Sequence, residues 1–416
     1  MNDRSIGATQ QTDANHFIGR YLVSICIVVF LAFSFARTPS IFISPRFWAE
    51  EGVLYFQQIQ HLGWLNSLTF TANSNFQFLI NILVTISTSV PLSLAPSVTT
   101  YGGIVLACAL PYAIGRAAKD NGTDPILAIV ASALVASVGM SFEIFGSATN
   151  IQWYGGAALF FAVFWRFENS RPSVGLITFA LLYGWSGIPA AMLFPAFLVM
   201  AFARSSRAHF AIAAILIVGT AIQIGAMLSA PIVSRDFDRS FTILVLPTVF
   251  QSILGLWLTP TLTSAMGGAS LSIVDKLSLV AVSAMILAFP IKEAANARIL
   301  TLFTVVVGLC ASMTQTLGAG GNAAELLKPV TGGRYYFIST CAIIAAFMFA
   351  SKSSPRVMRI PLIAALGINV AVWYSNDWSG FTSGSSWRQE VDGCLESTCK
   401  LQIWPGWLYV TADNKM

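Results

Sequence analysis

Charged side chains are scarce in this sequence. Asp, Glu, Lys and Arg make up 10% of its 416 residues, whereas a soluble protein carries about 25%. This scarcity excludes an ordinary soluble enzyme. Hydrophobic residues make up 56%, the mean hydropathy is +0.71, and apolar runs recur that are long enough to span ~30 Å of hydrocarbon. The sequence therefore predicts an all-α polytopic membrane protein, because the ten-residue alternating segments of a transmembrane barrel are absent.

Histidine and cysteine are also few. His16, His61 and His209 are far apart in sequence, and the six cysteines are too scattered to form a metal framework. The chain lacks a P-loop, a G-x-S-x-G elbow, an H-E-x-x-H pair and a C-x-x-C pair. The net charge of +5 does not indicate nucleic-acid binding. Any chemistry must therefore use carboxylates, arginines and aromatics at the membrane surface; no cofactor is predicted, and a divalent cation is left open.

The apolar runs predict a single membrane domain over residues 1–374, with about 11 to 13 spanning helices. The first helix, at about 17–36, is interpreted as an uncleaved signal anchor. A semi-polar first outer loop follows at 37–75, where interfacial helices are expected. The run 173–203 is too long for one crossing and is interrupted at "GWSGIPAAMLFP". A short polar tail, residues 375–416, ends the chain.

Positive charges predict the orientation of the domain. Loops such as "WRFENSRPS" and "SKSSPRVMR" carry arginine or lysine, and the positive-inside rule places them in the cytoplasm. With the amino terminus inside, residues 76–115 must contain an odd number of crossings, although they look like two helices. Either part of this region is only partly inserted, or the loop "GRAAKDNG" faces outward.

An acidic pair stands out in the first outer loop. Glu50 and Glu51 lie in "SPRFWAEEGVLYFQQIQ", directly after the first helix. Adjacent residues point in different directions, so at most one of the two faces a given substrate atom. The neighbouring Trp48 and Tyr55 favour a substrate-binding role, whereas the alternative is a solvated loop acid balanced by Arg46.

The segment "FWAEEGVLYF" resembles the first extracytoplasmic loop of the GT-C superfamily of integral membrane glycosyltransferases. Members carry an acidic motif there, often D-E-G-x-Y or, in bacterial relatives, F-W-A-E-D-G. Glu50 falls on the first acid and Glu51 on the second, where Glu replaces the more usual Asp. This departure leaves open which of the two is the base. Four further segments are similar to the same bacterial relatives: "NIQWY" (150–154), "SGIPAAMLFP" (186–195), "GRYYF" (333–337) and "IWPGW" (403–407).

The resemblance implies a bacterial inner-membrane transferase acting on the periplasmic face. Its donor would be a polyprenyl-phosphate-linked sugar, and its acceptor a glycan or lipid of the cell envelope. A carboxylate can take the proton from an acceptor hydroxyl, and a lipid-phosphate leaving group needs a cation. Arg334, Lys328 and Arg46 are the candidate phosphate ligands, and Arg334 is favoured because "GGRYY" places glycines and Tyr335 beside it. The alternative for Arg334 is an interfacial anchor.

Glu143 is a second acidic candidate. It precedes Asn150 and Trp153 in "SFEIFGSATNIQWY", between two apolar runs on the outer side. An ionisable group at such a depth is costly unless it has a partner, so a functional role is the default hypothesis. Glu143 could orient an acceptor or bind a divalent ion with the acidic pair. Alternatively, it caps a helix or pairs with an arginine.

The tail holds the cysteines Cys394 and Cys399. A tight turn can close the four residues between them, and an oxidising compartment would favour the disulfide. Trp404 and Trp407 would then lie over the mouth of the site. The alternative is a pair of free thiols in a cytoplasmic tail. Two other functions share the lipid-linked substrate: a transporter or flippase, and a glycan polymerase. Transporters usually have paired broken helices, and only one clear break occurs here.

Overall fold

A computed structural model describes residues 4–139, 141–167, 172–229, 245–258, 272–319, 333–375, 385–394, 398–406 and 408–413. The chain is 76% helical, as the composition predicted. Six helical segments in the described ranges are long and apolar enough to cross a membrane. They are Ile18–Arg37, Ala95–Asn121, Arg207–Ser229, Ile273–Glu293, Gly333–Ala350 and Pro355–Val372. The protein is thus a polytopic α-helical membrane protein.

The helices of the amino-terminal half are α1 (Arg4–Arg37), α2 (Pro39–Ile43), a π-helix (Glu51–Phe56), α3 (Gln57–Ile59), α4 (Trp64–Leu68), α5 (Phe78–Ser87), α6 (Ala95–Ala107), α7 (Ala109–Asn121), α8 (Pro125–Ser137), α9 (Ser141–Ile144) and α10 (Ile151–Ala162). The later helices are α11 (Val174–Gly184), α12 (Ile188–Ala191), α13 (Phe194–Arg204), α14 (Arg207–Ser229), a second π-helix (Thr248–Ile253), α15 (Ile273–Glu293), α16 (Arg298–Ala319), α17 (Phe337–Ala350), α18 (Pro355–Ser375) and α19 (Trp387–Asp392). Short 3₁₀ turns cover Leu254–Leu256, Ala295–Ala297 and Gly333–Tyr336. The strands are β1 (Thr71–Ala72), β2 (Asn75–Phe76), β3 (Thr398–Ile403) and β4 (Leu408–Asp413).

Of the 11 to 13 spans that the apolar runs predicted, six are long, apolar helical segments within the described ranges. Five further apolar segments in the described ranges have 10–17 residues, and α16 is another apolar helix of 22 residues. The interruption of the run 173–203 is confirmed, since α11, α12 and α13 are separate helices. Two tight segments divide them, and Gly187 has φ +124°, a conformation that favours glycine. Hydropathy alone does not detect such breaks.

The region 76–115 also divides unequally. Its first helix, α5, has 10 residues, or about 15 Å of rise, which is half of the hydrocarbon thickness. The following α6 and α7 form one apolar segment of 27 residues, Ala95–Asn121. The region therefore contains one segment long enough to cross the membrane. An odd number of crossings is what a cytoplasmic amino terminus requires, so this geometry favours the alternative in which part of the region is only partly inserted.

Two fully buried helices form the centre of the domain. Every residue of α10 and of α17 is buried. Close packing depends on small residues, since a Cβ on Gly156 would lie 2.7 Å from the Ile338 side chain. The rings of Tyr154 and Phe337 meet edge-on at 5.2 Å. Both helices begin at one end of the domain, and the arginine- and lysine-bearing loops follow their other ends.

The carboxyl-terminal segment packs on the loop 37–75 that follows the first helix. β3 and β4 pair antiparallel from Thr398↔Asp413 to Ile403↔Leu408, and a disulfide joins Cys394 to Cys399. The hairpin buries Leu401, Ile403 and Val410 in one cluster with aromatic residues of the loop. The tail is therefore part of the same folded unit as the loop that carries the acidic pair.

Candidate functional site

Three distant segments bring two carboxylates to one arginine. Glu50 comes from the first outer loop, Glu143 from α9, and Arg334 from the turn before α17. The Arg334 Nη1 atom lies 3.0 Å from Glu143 Oε1, and its Nη2 atom lies 3.8 Å from Glu50 Oε1. The side chains of Glu50, Arg334 and Glu143 keep 36%, 24% and 18% of their surface exposed. This acidic–arginine cluster is therefore partly desolvated yet reachable from solvent.

The environment of Glu143 opposes its ionisation. Burial raises the pKa of Glu143 most strongly, the Arg334 guanidinium lowers it, the Glu50 carboxylate raises it, and the net shift is upward. Its Oε2 atom is buried and has no hydrogen-bond partner among the described residues. A carboxylate whose second oxygen is unsatisfied has spare capacity to accept a hydrogen bond.

An aromatic wall borders the cluster. The Arg334 guanidinium lies 5.5 Å from the ring centroid of Tyr335, and the Trp153 ring meets Tyr335 edge-on at 5.3 Å. Trp153 Nε1 is buried and lacks an acceptor within the part of the chain that the structure describes. Asn150 Nδ2 donates to the Glu143 carbonyl at 3.1 Å and so fixes the backbone beneath the carboxylate. Arg334, Tyr335, Trp153 and Asn150 were all candidate site residues from the sequence.

The acidic pair divides between two environments. Glu50 faces Arg334, whereas the Glu51 side chain is fully buried and accepts a 2.8 Å hydrogen bond from Ala148 N. Burial raises the pKa of Glu51 to about 7, although hydrogen bonds from Thr99, Ala148 and Ser147 oppose the rise. Glu51 thus anchors the segment before α10, and Glu50 is the member of the pair that solvent can reach.

The backbone around the pair is unusual. Ala49 has φ +29°, which is uncommon for a residue with a side chain. The π-helix begins at Glu51, and π-turns are frequent at functional sites. Trp404 holds the segment just before the pair, because its N–H donates to the Phe47 carbonyl at 2.9 Å and its carbonyl accepts from Ala49 N. The tail therefore helps to fix the conformation that directs Glu50 toward Arg334.

Two candidates are not brought to the cluster. Arg46 is 3% exposed, and its guanidinium pairs with Glu390 at 2.7 Å and donates to the carbonyls of Gln402 and Ser385. It anchors the tail, so we do not retain it as a phosphate ligand. Tyr55 is 2% exposed and packs edge-on against Phe70 in the apolar cluster beneath the loop. Its role in this structure is packing.

The remaining candidates lie elsewhere. Trp48 is buried and bridges to Trp404, so it supports the backbone before Glu50. Lys328 and Trp407 lie outside the described residues. Trp404 is 3% exposed; it contributes two backbone hydrogen bonds to the segment before Glu50, and its ring packs edge-on against Trp48.

One contributing residue was not identified from the sequence. Arg37, the last residue of α1, donates through Nη1 to the carbonyls of Ala136 and Val138 and through Nη2 to that of Gly139. It thereby fixes the segment that leads to Glu143. A single arginine at the end of the first helix, on the side predicted to face outward, is a signal that sequence reasoning could have used, since the positive-inside rule disfavours it there.

The described ranges contain no group of three His, Cys, Asp or Glu side chains arranged to hold a metal ion. What the cluster offers instead is a reachable carboxylate, an arginine fork and two aromatic rings. Such a set can accept a proton from a hydroxyl, bind an anionic oxygen and contact a sugar ring. No family model, characterised protein or solved structure matches this chain.

Proposed function

We propose that this protein is a membrane glycosyltransferase of the GT-C type. It moves one sugar from a polyprenyl-phosphate donor to a glycan or lipid acceptor of the cell envelope, on the periplasmic face of a bacterial inner membrane. The observation that carries the proposal is the contact of Arg334 with Glu143 and Glu50 at 3.0 and 3.8 Å. Glu50 and Arg334 lie in two of the segments that carry the resemblance. Glu143 lies shortly before a third, "NIQWY" (150–154).

Each residue has a role in the proposed transfer. Glu50 takes the proton of the acceptor hydroxyl as that oxygen attacks the anomeric carbon. The bond between the anomeric carbon and the phosphate oxygen breaks, and polyprenyl phosphate leaves with the electron pair. Arg334 binds that phosphate and stabilises its charge through the Nη2 side of its planar fork, while Glu143 holds the Nη1 side. No protonating acid is needed for such a leaving group.

Glu143 positions the arginine in this scheme. Its Oε1 atom accepts a hydrogen bond from Arg334 Nη1. The other terminal nitrogen of the guanidinium, Nη2, then points toward Glu50. When the donor phosphate binds, it replaces Glu50 as the partner of Nη2, and the released carboxylate becomes the base. Tyr335 and Trp153 form the wall against which a sugar ring packs.

The distribution of charge supports an outward-facing site. The cluster lies at the starts of α10 and α17, and basic residues such as Arg166, Arg204, Arg207 and Lys352 follow the opposite ends of the helices. By the positive-inside rule the cluster then faces the periplasm. That is the face on which polyprenyl-phosphate sugars serve as donors in the superfamily that the sequence resembles.

The test is a transfer assay with the purified full chain. Labelled polyprenyl-phosphate sugars are supplied with cell-envelope lipid and glycan acceptors, and wild type is compared with Glu50→Gln. We expect the variant to lose at least about 100-fold in turnover, because an amide cannot take the proton. Asp392→Asn is the matched control, since the Asp392 side chain is 67% exposed on the tail and should leave turnover unchanged. Full turnover by Glu50→Gln, or movement of the lipid across vesicles without any transfer product, would refute the proposal.

A further inference from the structure

A cavity lies at the opposite end of the helices from the acidic–arginine cluster. Its volume is about 460 Å³, within the range of about 300–1,000 Å³ that is typical of small-molecule sites. It is formed where α7, α10 and α17 end, where α13 ends and where α16 begins. None of its lining residues is acidic. Four cationic side chains line it: Arg166, Arg204, Arg298 and Lys352.

The cationic side chains use only part of their hydrogen-bonding and ion-pairing capacity within the described residues. Arg204 is fixed by its Nη1 atom, which donates to the Trp165 carbonyl at 2.7 Å and the Phe164 carbonyl at 3.3 Å. Within the described ranges, the charged groups of Arg298 and Lys352 are not in any ion pair. The nearby carboxylate of Asp120 is already bonded to Arg116 Nε and Arg166 N. The cavity therefore keeps an excess of positive charge.

The backbone adds to this positive field. The first turn of α16, from Arg298 to Leu300, lines the cavity, and α16 is 22 residues long. The first N–H groups of a helix lack intrahelical acceptors, and the helix dipole there favours an anion. Cationic side chains and a helix amino terminus together are a combination that binds phosphate.

The rest of the wall is apolar. Phe303 and Phe349 line the cavity and flank the Phe164 ring at 6.3 and 4.8 Å. At the edge of the cavity, the apolar side chains of Val199 and Ile299 are 50% and 86% exposed. These side chains can contact a hydrocarbon portion of a ligand. A ligand with a phosphate group and an apolar portion would satisfy both parts of this surface.

We propose that this cavity binds a phosphate-bearing anion, independently of the outer site. The shared chemistry is that of an anionic phospholipid headgroup and of a soluble phosphate ester or diphosphate. Basic pockets between transmembrane helices on the cytoplasmic side are suited to lipid headgroups, and the same four cations can hold a free diphosphate. The two sources differ in whether an acyl chain is required.

The experiment uses the purified full chain in neutral detergent, with the midpoint of thermal unfolding measured against ligand concentration. The probes are short-chain phosphatidylglycerol, short-chain phosphatidylcholine and inorganic diphosphate, with sodium chloride at matched ionic strength. The test variant is Arg298→Gln combined with Lys352→Gln. Arg356→Gln is the matched control, because Arg356 is exposed at the same end but does not line the cavity.

Wild type and Arg356→Gln should be stabilised by phosphatidylglycerol or by diphosphate at lower concentrations than by phosphatidylcholine or salt. Each removed cation should weaken apparent affinity about fivefold, so the double variant should lose about 25-fold. Stabilisation by phosphatidylglycerol alone identifies a lipid headgroup, and stabilisation by diphosphate identifies a soluble phosphate. The proposal is overturned if neither phosphate probe stabilises wild type, or if the double variant responds as Arg356→Gln does.

Discussion

Trp48 and Trp404 form a parallel β-bridge, with their rings edge-on at 6.5 Å, although 356 residues separate them in sequence. The bridge joins the tail to the strand that leads into the acidic pair. The carbonyl of Trp404 accepts from Ala49 N, and Glu50 is the next residue. The position of Glu50 therefore depends on the tail as well as on the loop that carries it.

This dependence predicts a role for the buried Trp404 ring in stability and in transfer. Trp404→Ala should cost about 3–5 kcal/mol of stability, the usual range for removing a buried tryptophan. Loosening the bridge should also reduce turnover at least about tenfold, because small displacements of a reacting group are costly. Thermal unfolding in detergent and the transfer assay measure the two effects. Trp64→Ala is the control, since Trp64 is 60% exposed; equal losses in both variants would contradict the prediction.

A second prediction separates the charge of Arg334 from its shape. Arg334→Ala should lower kcat/KM for the donor about 100- to 1,000-fold, the usual effect of removing a group that stabilises a developing anion. Arg334→Lys keeps the charge but loses the planar fork, so its loss should be smaller, about tenfold. The KM for the acceptor should be unchanged, because Arg334 contacts only the donor in this scheme. Unchanged donor dependence in Arg334→Ala would move the phosphate site to another cation.

The sequence was sufficient to name Glu50, Glu143, Arg334, Asn150, Trp153 and Tyr335, because ionisable and amide groups beside apolar runs are few and need partners. It could not predict that Arg334 contacts Glu143, since 191 residues separate them and only the packing of α10 against α17 brings their ends together. The roles of Arg46 and Glu51 could not be predicted either, because they also depend on contacts between distant segments. Arg46 depends on the docking of the tail, and Glu51 on the segment before α10.

The fold was predictable at the level of class. Composition and hydropathy identify helices in a membrane, but several apolar runs form helices of 10–17 residues. Whether an apolar run continues as one helix or breaks depends on tertiary contacts. At the start of α5, for example, Leu79 N donates to Ser186 Oγ in the segment that interrupts 173–203. A hydrophobicity pattern along the sequence does not reveal such contacts.

A third prediction concerns the pH dependence of stability. The pKa of Glu51 is raised by burial from its ordinary 4.5 to about 7. Below pH 4.5 the carboxyl is neutral in both folded and unfolded chains. As pH rises from 4.5 to 7, only the unfolded chain ionises, so the folded state loses about 3 kcal/mol, and the loss is complete above pH 7.

Glu51→Gln removes this titration. The variant should therefore be more stable than wild type at pH 8, and the difference should shrink by pH 5. Thermal unfolding followed by tryptophan fluorescence at both pH values measures it. Glu50→Gln is the matched control, since its side chain is 36% exposed. A stability difference between Glu51→Gln and wild type that is the same at pH 5 and pH 8 would show that Glu51 does not titrate in this range.

A fourth prediction follows from the backbone at Ala49. A residue with a side chain at φ +29° carries a cost of about 1–3 kcal/mol, which glycine avoids. Ala49→Gly should therefore unfold no earlier than wild type, whereas Ala49→Val should unfold earlier and transfer more slowly. Ala131→Gly, in the interior of α8, is the control and should lose about 1 kcal/mol. If Ala49→Gly is destabilised as much as Ala131→Gly, the strain is absent.

The last prediction concerns orientation, on which the proposed chemistry depends. The disulfide between Cys394 and Cys399 lies on the same packed unit as Glu50, so labelling these two cysteines reports the side of the membrane that the acidic–arginine cluster faces. In intact cells, a membrane-impermeant maleimide should label them only after reduction, because the periplasm keeps such bonds oxidised. The Cys394→Ser/Cys399→Ser variant gives the background from the other four cysteines.

A cysteine placed at Arg356, by Arg356→Cys in the same background, supplies the opposite control. That exposed position lies at the cationic end of the helices, so it should react only after the membrane is permeabilised. The reverse pattern, with Arg356→Cys labelled from outside and the tail pair labelled without reductant after permeabilisation, would invert the topology. Glu50 would then face the cytoplasm, where the proposed transfer from a periplasmic lipid-linked sugar could not occur.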